Sequence, residues 1–288
     1  MKLFVSVVSH GHGLLALRGL QQLRAGLGHW IRSGTLDYCA LLTHNIAETQ
    51  TQSEYSSLER QMDLLHQWNP QPLGFATNHN QSMRTMQARN ADWLLIANPD
   101  LDWHYELTFE ALLLGMQGAP DDVGAFSLTQ VLPQSESIEF ARRLMTPWQF
   151  AKRAADRLFK RTSAHAKNSQ ADWVNAACLA VRRETFEELG GFDMRYQLYC
   201  EDIDFCLRLQ MAGWKLAVLD AVVTHDTRRD SARQWKFLLL HLKSLLKLWT
   251  SAVFWQFLWW RTNQRSPVVE LRYETLKNIA NEQHIPKQ

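Results

Sequence analysis

Three short apolar runs, residues 3–8, 38–43 and 93–97, each stop abruptly at small polar residues. Five or six apolar residues bounded by turn formers suit a strand buried on both faces of a sheet. The stretches between them read differently. Residues 14–27 read as a helix that follows a turn at residues 9–13. Residues 52–68 place Tyr55, Leu58, Met62, Leu65 and Trp68 at helical spacing, and Pro70 and Pro72 close that segment. Residues 80–90 read as a further helix. Strands alternating with helices over short links predict a right-handed, mostly parallel α/β sheet. In such sheets ligands bind beyond the carboxyl ends of the strands. Residues 9–12, His44-Asn45 and residues 98–100 stand at those ends.

The chain has 288 residues, room for one α/β domain with appendages or two small domains, and its 46% hydrophobic content supplies a sizeable core. A formal net charge of +2 excludes nucleic-acid binding driven by overall charge. The charge is unevenly spread. Arg142, Arg143, Lys152, Arg153, Arg157, Lys160, Arg161 and Lys167 face a single acid, Asp156, across residues 142–167. Such a cluster is either a solvated face or a surface for anionic lipid or a lipid diphosphate. Cys39, Cys178, Cys200 and Cys206 form no Cys-x-x-Cys pair and fit a reducing compartment. The apolar amino terminus is too short for a signal-peptide core, and no run reaches the 18 or so apolar residues of a membrane span. A cytoplasmic chain is expected.

Candidate chemistry concentrates in the second half. After Leu189-Gly190-Gly191-Phe192-Asp193 comes a segment in which Tyr199 and Cys200 precede Glu201, Asp202 and Asp204. Ile203, Phe205, Cys206 and Leu209 recur at near-helical spacing, so the carboxylates crowd the first turn of an amphipathic helix, where free N–H groups and the helix dipole favour them. Three carboxylates there are also what an ordinary acidic helix start looks like. Asn98-Pro99-Asp100, after the third strand, is on its own a turn. His225 follows an apolar run ending in Val222-Val223-Thr224, where a structural histidine is the plain alternative.

Taken together these motifs resemble family-two glycosyltransferases, inverting enzymes with a nucleotide-binding GT-A fold, over about residues 3–231. The resemblance is in particular to bacterial rhamnosyltransferases acting on polyprenyl-diphosphate-linked N-acetylglucosamine in O-antigen or related glycan assembly. It implies that Asp202 is the general base, with Glu201 and Asp204 orienting the acceptor or the neighbouring loop. It implies that Asp100 binds Mg²⁺ or Mn²⁺ bridging the donor's phosphates, that Asn98 replaces the first Asp of the Asp-x-Asp motif, and that His225 completes the metal site or touches the diphosphate. Arg228, with Arg229, Ser231 and Arg233 nearby, is placed to donate to phosphate oxygens. Ser9, His10 and Gly11 match the opening motif that lines the base pocket, and Asn45 follows His44, which stands where relatives have Asp. Gly74, Phe75 and Asn80 match a donor-side Gly-aromatic-x-x-Asn-x-Asn segment. Trp173 and Asn175, the latter in place of a glycine, fall on the acceptor side together with Tyr199.

Residues 235–260 are dense in Leu, Trp and Phe. Lys236, Lys243, Lys247 and Thr250, spaced seven, four and three apart, form one polar stripe on a helix. A basic stripe beside a Trp-rich face suits an interfacial helix, and packing on the catalytic domain or across a dimer is the competing account. The resulting division is a GT-A domain over 1–232, with a nucleotide-binding half over 1–100 and an acceptor half over 101–232, and a membrane-associating helical region over 233–288. The expected reaction moves a sugar, L-rhamnose from dTDP-rhamnose, to a lipid-linked glycan acceptor at the inner face of the cytoplasmic membrane. A UDP-hexose donor and a catalytically silent membrane scaffold are the alternatives.

Overall fold

A computed structural model describes residues 1–48, 62–103, 106–131, 138–139, 141–158, 171–225, 234–263 and 268–283. In chain order the first half holds β1 (Lys2–Ser9), α1 (Gly13–Gly26), α2 (Gly28–Arg32), β2 (Asp37–His44), β3 (Leu64–Trp68), α3 (Phe75–Ala88), β4 (Trp93–Ala97), β5 (Leu101–Asp102) and α4 (Glu106–Gly118). It continues with β6 (Val123–Val131), β7 (Ile138–Glu139), β8 (Ala141–Arg142), α5 (Pro147–Leu158), β9 (Trp173–Val174), β10 (Cys178–Arg182), α6 (Arg183–Glu188), α7 (Glu201–Met211) and β11 (Lys215–His225). The last part is α8 (Gln234–Trp249), α9 (Ala252–Asn263), β12 (Val269–Leu271) and α10 (Tyr273–Gln283).

The main sheet runs β12-β11-β6-β10-β4-β1-β2-β3. Along this path the pairs are parallel except those of β10, which runs antiparallel to both β4 and β6. Alternation along β1 explains the two layers. Leu3, Val5 and Val7 join one apolar cluster with α1 and α4, while Phe4 joins another with Ala76 of α3 and Phe205 of α7. Both faces are therefore covered, which is why β1 reads as a nearly continuous apolar run, interrupted only by buried Ser6, rather than an alternating one.

Residues 64–68 are not helical, as their spacing suggested. They form an edge strand paired with β2 from Ala40↔Leu64 to His44↔Trp68. Asp63, at φ 45°, breaks any helical path and accepts the N–H of Ala40 through its carbonyl. Tyr55 and Leu58, earlier in that expected helix, lie outside the described residues. The next helix begins at Phe75 rather than Asn80, with extended Gly74 as its N-cap.

The Trp-rich run of 235–260 is not one helix either. It bends by 59° between α8 and α9. The Thr250 hydroxyl donates back to Leu246 and the Ser251 hydroxyl to Leu248, and Ser251 also accepts the N–H of Phe254, capping α9. No single helix among the described residues is long and apolar enough to cross a membrane; α8 and α9 reach that length and composition only as a bent pair. Beyond them, β12 extends the main sheet beside β11, so the carboxyl-terminal region contributes a strand to that sheet.

Candidate active site

The carboxyl ends of β1 to β3 form a hydrogen-bonded rim. Ser9 is buried, its carbonyl accepts the Asn45 N–H at 2.8 Å, and its hydroxyl donates to Glu48 while accepting the His12 N–H at 2.8 Å. Gly11 carries the turn at φ +84°, a conformation open to glycine. The Asn45 side chain donates to the Leu73 carbonyl at 2.9 Å, accepts the Leu73 N–H at 2.8 Å and lies 3.1 Å from Nδ1 of His10. Asn45 thus stitches the β1 and β2 ends to the segment before α3. His44 is fully buried, stacked 3.6 Å from Trp68 at 7° and bonded to His66 at 2.8 Å. Burial holds its pKa below the usual value against the opposing pull of Glu48.

The Gly74-to-Asn80 segment grips the acidic-motif loop. A Cβ on Gly74 would come 2.6 Å from the Gln197 carbonyl oxygen, which accepts the Phe75 N–H at 2.8 Å. Phe75 packs edge-on against Phe192. The Asn80 amide donates to the Phe192 carbonyl at 2.7 Å and accepts its N–H at 2.9 Å. Both polar ends of Asn80 are thereby used on the loop that leads to α7.

At the end of β4, Asn98 is anchored by its N–H to the Ala177 carbonyl at 2.8 Å. The two-residue strand β5 pairs antiparallel with β11, setting Leu101 opposite His225. That pairing brings Nε2 of His225 within 3.2 Å of Oδ1 of Asp100 and 3.4 Å of the Asn98 amide. An oxygen and an imidazole nitrogen at this spacing are a two-donor start for a divalent cation. No group of three His, Cys, Asp or Glu side chains converges among the described residues. Arg228, Arg229, Ser231 and Arg233 lie outside the described residues, as do Lys160, Arg161 and Lys167 of the basic cluster.

Helix α7 starts without a side-chain cap, from Tyr199 and Cys200 at φ 70° and 69°. Left-handed backbone costs a non-glycine residue about 1–2 kcal/mol, so neighbouring contacts must hold this pair. Half-buried Asp202 accepts the Ile203 N–H at 2.8 Å and also a backbone N–H from Ala176. Burial raises its pKa above the usual carboxylate range, against those donors and the charge of Arg142. Glu201 is buried with one oxygen unpartnered, and burial followed by Asp202 pushes its pKa up too. Asp204 pairs with Arg208 at 2.7 Å, and Arg208 in turn donates to the carbonyls of Leu189 and Gly191, latching the glycine turn. Residues 176–177 connect the two corners, Ala176 reaching Asp202 and Ala177 reaching Asn98.

Of the residues expected at the acceptor, Trp173 lies on β9 opposite Arg142 of β8, whose guanidinium sits 5.7 Å from the indole. Asn175 accepts from the Gln130 amide at 2.5 Å and so is tied to β6. Tyr199 stacks on His241 of α8.

Residues 106–264 match the family described as glycosyl transferase family group 2. The chain belongs to that family. It is 30% identical over 160 residues to an N-acetylglucosaminyl-diphospho-decaprenol L-rhamnosyltransferase of Mycobacterium tuberculosis, a match covering 49% of each chain. It is 37% identical over 81 residues to rhamnosyltransferase WbbL of Escherichia coli K12, 26% of this chain and 30% of that one. The matches thus span about half or less of these relatives' length. Among solved structures, the mannosyltransferase PcManGT from Pyrobaculum calidifontis, in complex with GDP-Man and Mn²⁺, overlays with a TM-score of 0.55 at 14% identity, covering 99% of this chain and 81% of that one. TarS of S. aureus in complex with UDP-GlcNAc gives 0.54 at 10% identity over 90% and 72%. The fold is that of GT-A glycosyltransferases.

Within this family member the fold joins Asn98, Asp100 and His225 in one corner and Asp202 with its Ala176 donor in another. Several residues that shape the site were not singled out from the sequence. Gln197 and Gln130 act through contacts with residues 123 and 45 positions away, and His66 and Trp68 were hidden by the helical reading of β3. His241 carries no signal of its own inside an apolar helix whose polar stripe runs through Lys243 and Lys247.

Proposed function

We propose that this chain is an inverting glycosyltransferase that moves L-rhamnose from dTDP-rhamnose to a polyprenyl-diphosphate-linked glycan at the inner face of the cytoplasmic membrane. The observation that carries this reading is the placement of Asp202 and the Asp100–His225 pair on either end of the 176–177 segment, in a family member with rhamnosyltransferase relatives. Asp202 takes the proton of the attacking acceptor hydroxyl as that oxygen displaces the nucleoside diphosphate. Its raised pKa gives it more basicity than an exposed carboxylate. Asp100 and His225 would hold Mg²⁺ or Mn²⁺, which when bound stabilises negative charge on the leaving diphosphate. Ser9 to Gly11 and Asn45 line the nucleotide end, and Trp173, Asn175 and Tyr199 the acceptor end. Membrane contact falls to the outer face of α8 and α9, where Trp235, Leu239, Leu246, Trp255 and Trp259 are exposed and residues 234–263 hold no acidic side chain.

A thermal-shift panel of dTDP, UDP, GDP and CDP, each with and without Mg²⁺ or Mn²⁺, tests the donor site. A ligand at a hundred times its Kd stabilises by about 2.7 kcal/mol, several degrees at roughly 2–4 °C per kcal/mol. A metal-dependent shift selective for dTDP is expected. A UDP preference would replace the donor, and no shift with any nucleotide would overturn the enzymatic reading.

A further inference from the structure

We propose that α8 positions the base of the transfer reaction through Tyr199 and Cys200, an inference that rests on the reading of Asp202 as that base. The first turn of α7, with Glu201 and Asp202, springs directly from two left-handed, non-glycine residues, and the Cys200 side chain makes no capping hydrogen bond. Such a start holds only where the surroundings over-determine it. The surroundings here are one face of α8. The His241 ring stacks on Tyr199 with centroids 4.8 Å apart and planes 26° apart. Nearly one turn on, the Ser244 hydroxyl donates to the Leu198 carbonyl at 2.7 Å. A further turn on, the Lys247 ammonium donates to the Arg195 carbonyl and sits 5.8 Å from the Tyr196 ring. Beside these polar contacts, Leu245 and Leu248 close an apolar cluster with Cys200, Ile203 and Leu207.

Residues 241, 244, 245 and 248 share one helical face, and that face meets the segment running into Asp202. The Asp202 carboxylate is itself held by backbone N–H groups, those of Asp202 and Ile203 at its own helix start and that of Ala176. A shift of the 199–200 pair therefore carries the carboxylate away from the acceptor hydroxyl, and a misplacement of about 1 Å costs on the order of 10²-fold in rate. His241 and Ser244 are thus positioning residues. The opposite side of the same helix carries Leu239 and Leu246, 65% and 60% exposed, so whatever seats that side also seats the base.

The test compares wild type with H241A, H241F, S244A and D202N. It reads the single-turnover rate with dTDP-rhamnose and polyprenyl-diphosphate-linked N-acetylglucosamine in micelles, alongside dTDP affinity and melting temperature. H241A and S244A should each slow the chemical step at least 10-fold with dTDP affinity unchanged. H241F, which keeps a stacking ring, should stay within about threefold of wild type. If D202N is inactive while H241A and S244A turn over normally, the inference fails and the base assignment survives. If H241F falls as far as H241A, stacking is not what positions the loop and the inference also fails. If D202N keeps the wild-type rate, the base assignment fails and takes the inference with it.

Discussion

Asn80 and Gly191 meet across the turn that precedes the acidic motif, and their energies should be coupled. Gly191 sits at φ +72°, and a Cβ there would lie 2.4 Å from Oδ1 of Asn80. That oxygen is the acceptor for the Phe192 N–H, and the same amide donates to the Phe192 carbonyl. N80A removes both hydrogen bonds, at about 1 kcal/mol each, a loss of about 2 kcal/mol. G191A adds left-handed strain of about 1–2 kcal/mol and drives the amide off its partners, so the same two bonds are lost again. Its total is about 3–4 kcal/mol. In the double variant the amide is already gone and the bonds are lost once, so the total stays near 3–4 kcal/mol instead of the additive 5–6. Urea melts of the four proteins, with m unchanged, would give a coupling of about 2 kcal/mol. Additive effects would mean that the Asn80 clamp does not depend on the glycine, and would refute the reasoning.

His79 offers a pH test. It is fully buried, with Nδ1 2.9 Å from the Ser6 hydroxyl, and burial depresses its pKa to about 3. A depressed histidine contributes stability that is present above its unfolded pKa near 6.5 and lost as pH falls towards 3, at about 1.4 kcal/mol per unit. From pH 7.5 to 5 the wild type should lose about 2 kcal/mol relative to H79L, read as a difference of melting temperatures; parallel curves would contradict this. At the membrane face, Trp235, Trp255 and Trp259 are 78%, 57% and 72% exposed. At about 1.5 kcal/mol each, changing all three to Ser should weaken partitioning onto anionic vesicles by about 10³-fold. Unchanged recovery in a flotation assay would remove the lipid surface from the account.

Much of the amino-terminal part of the sheet was legible because each buried strand writes its own signature. The run Val5 to Val8 and the run Leu94 to Ala97 stop where the chain must turn, and the candidate site residues Ser9 and Asn98 follow immediately. β3 was not legible, since an edge strand with one buried residue, three half-buried ones and an exposed Trp68 needs no apolar run, and Leu65 and Trp68 happened to extend a helical spacing. The antiparallel sense of β10 is set by pairing with β4 and β6, a long-range choice that periodicity cannot carry. Asp100, His225 and Asp202 were nameable by motif, yet their juxtaposition depends on the β5–β11 pairing and on Ala176 and Ala177, which carry no chemical signal. The bend at Thr250-Ser251 was written in two hydroxyls, but they become a break only where Ser251 caps the following helix.

The central claim is that Asp202 accepts the acceptor's proton. Its most direct test is the single-turnover transfer rate of D202N with dTDP-rhamnose and the lipid-linked acceptor, on a sample whose Mn²⁺-dependent dTDP affinity has been measured. The account predicts a rate lower by about 10²–10⁴-fold with affinity unchanged. A D202N rate within a few-fold of wild type would contradict it.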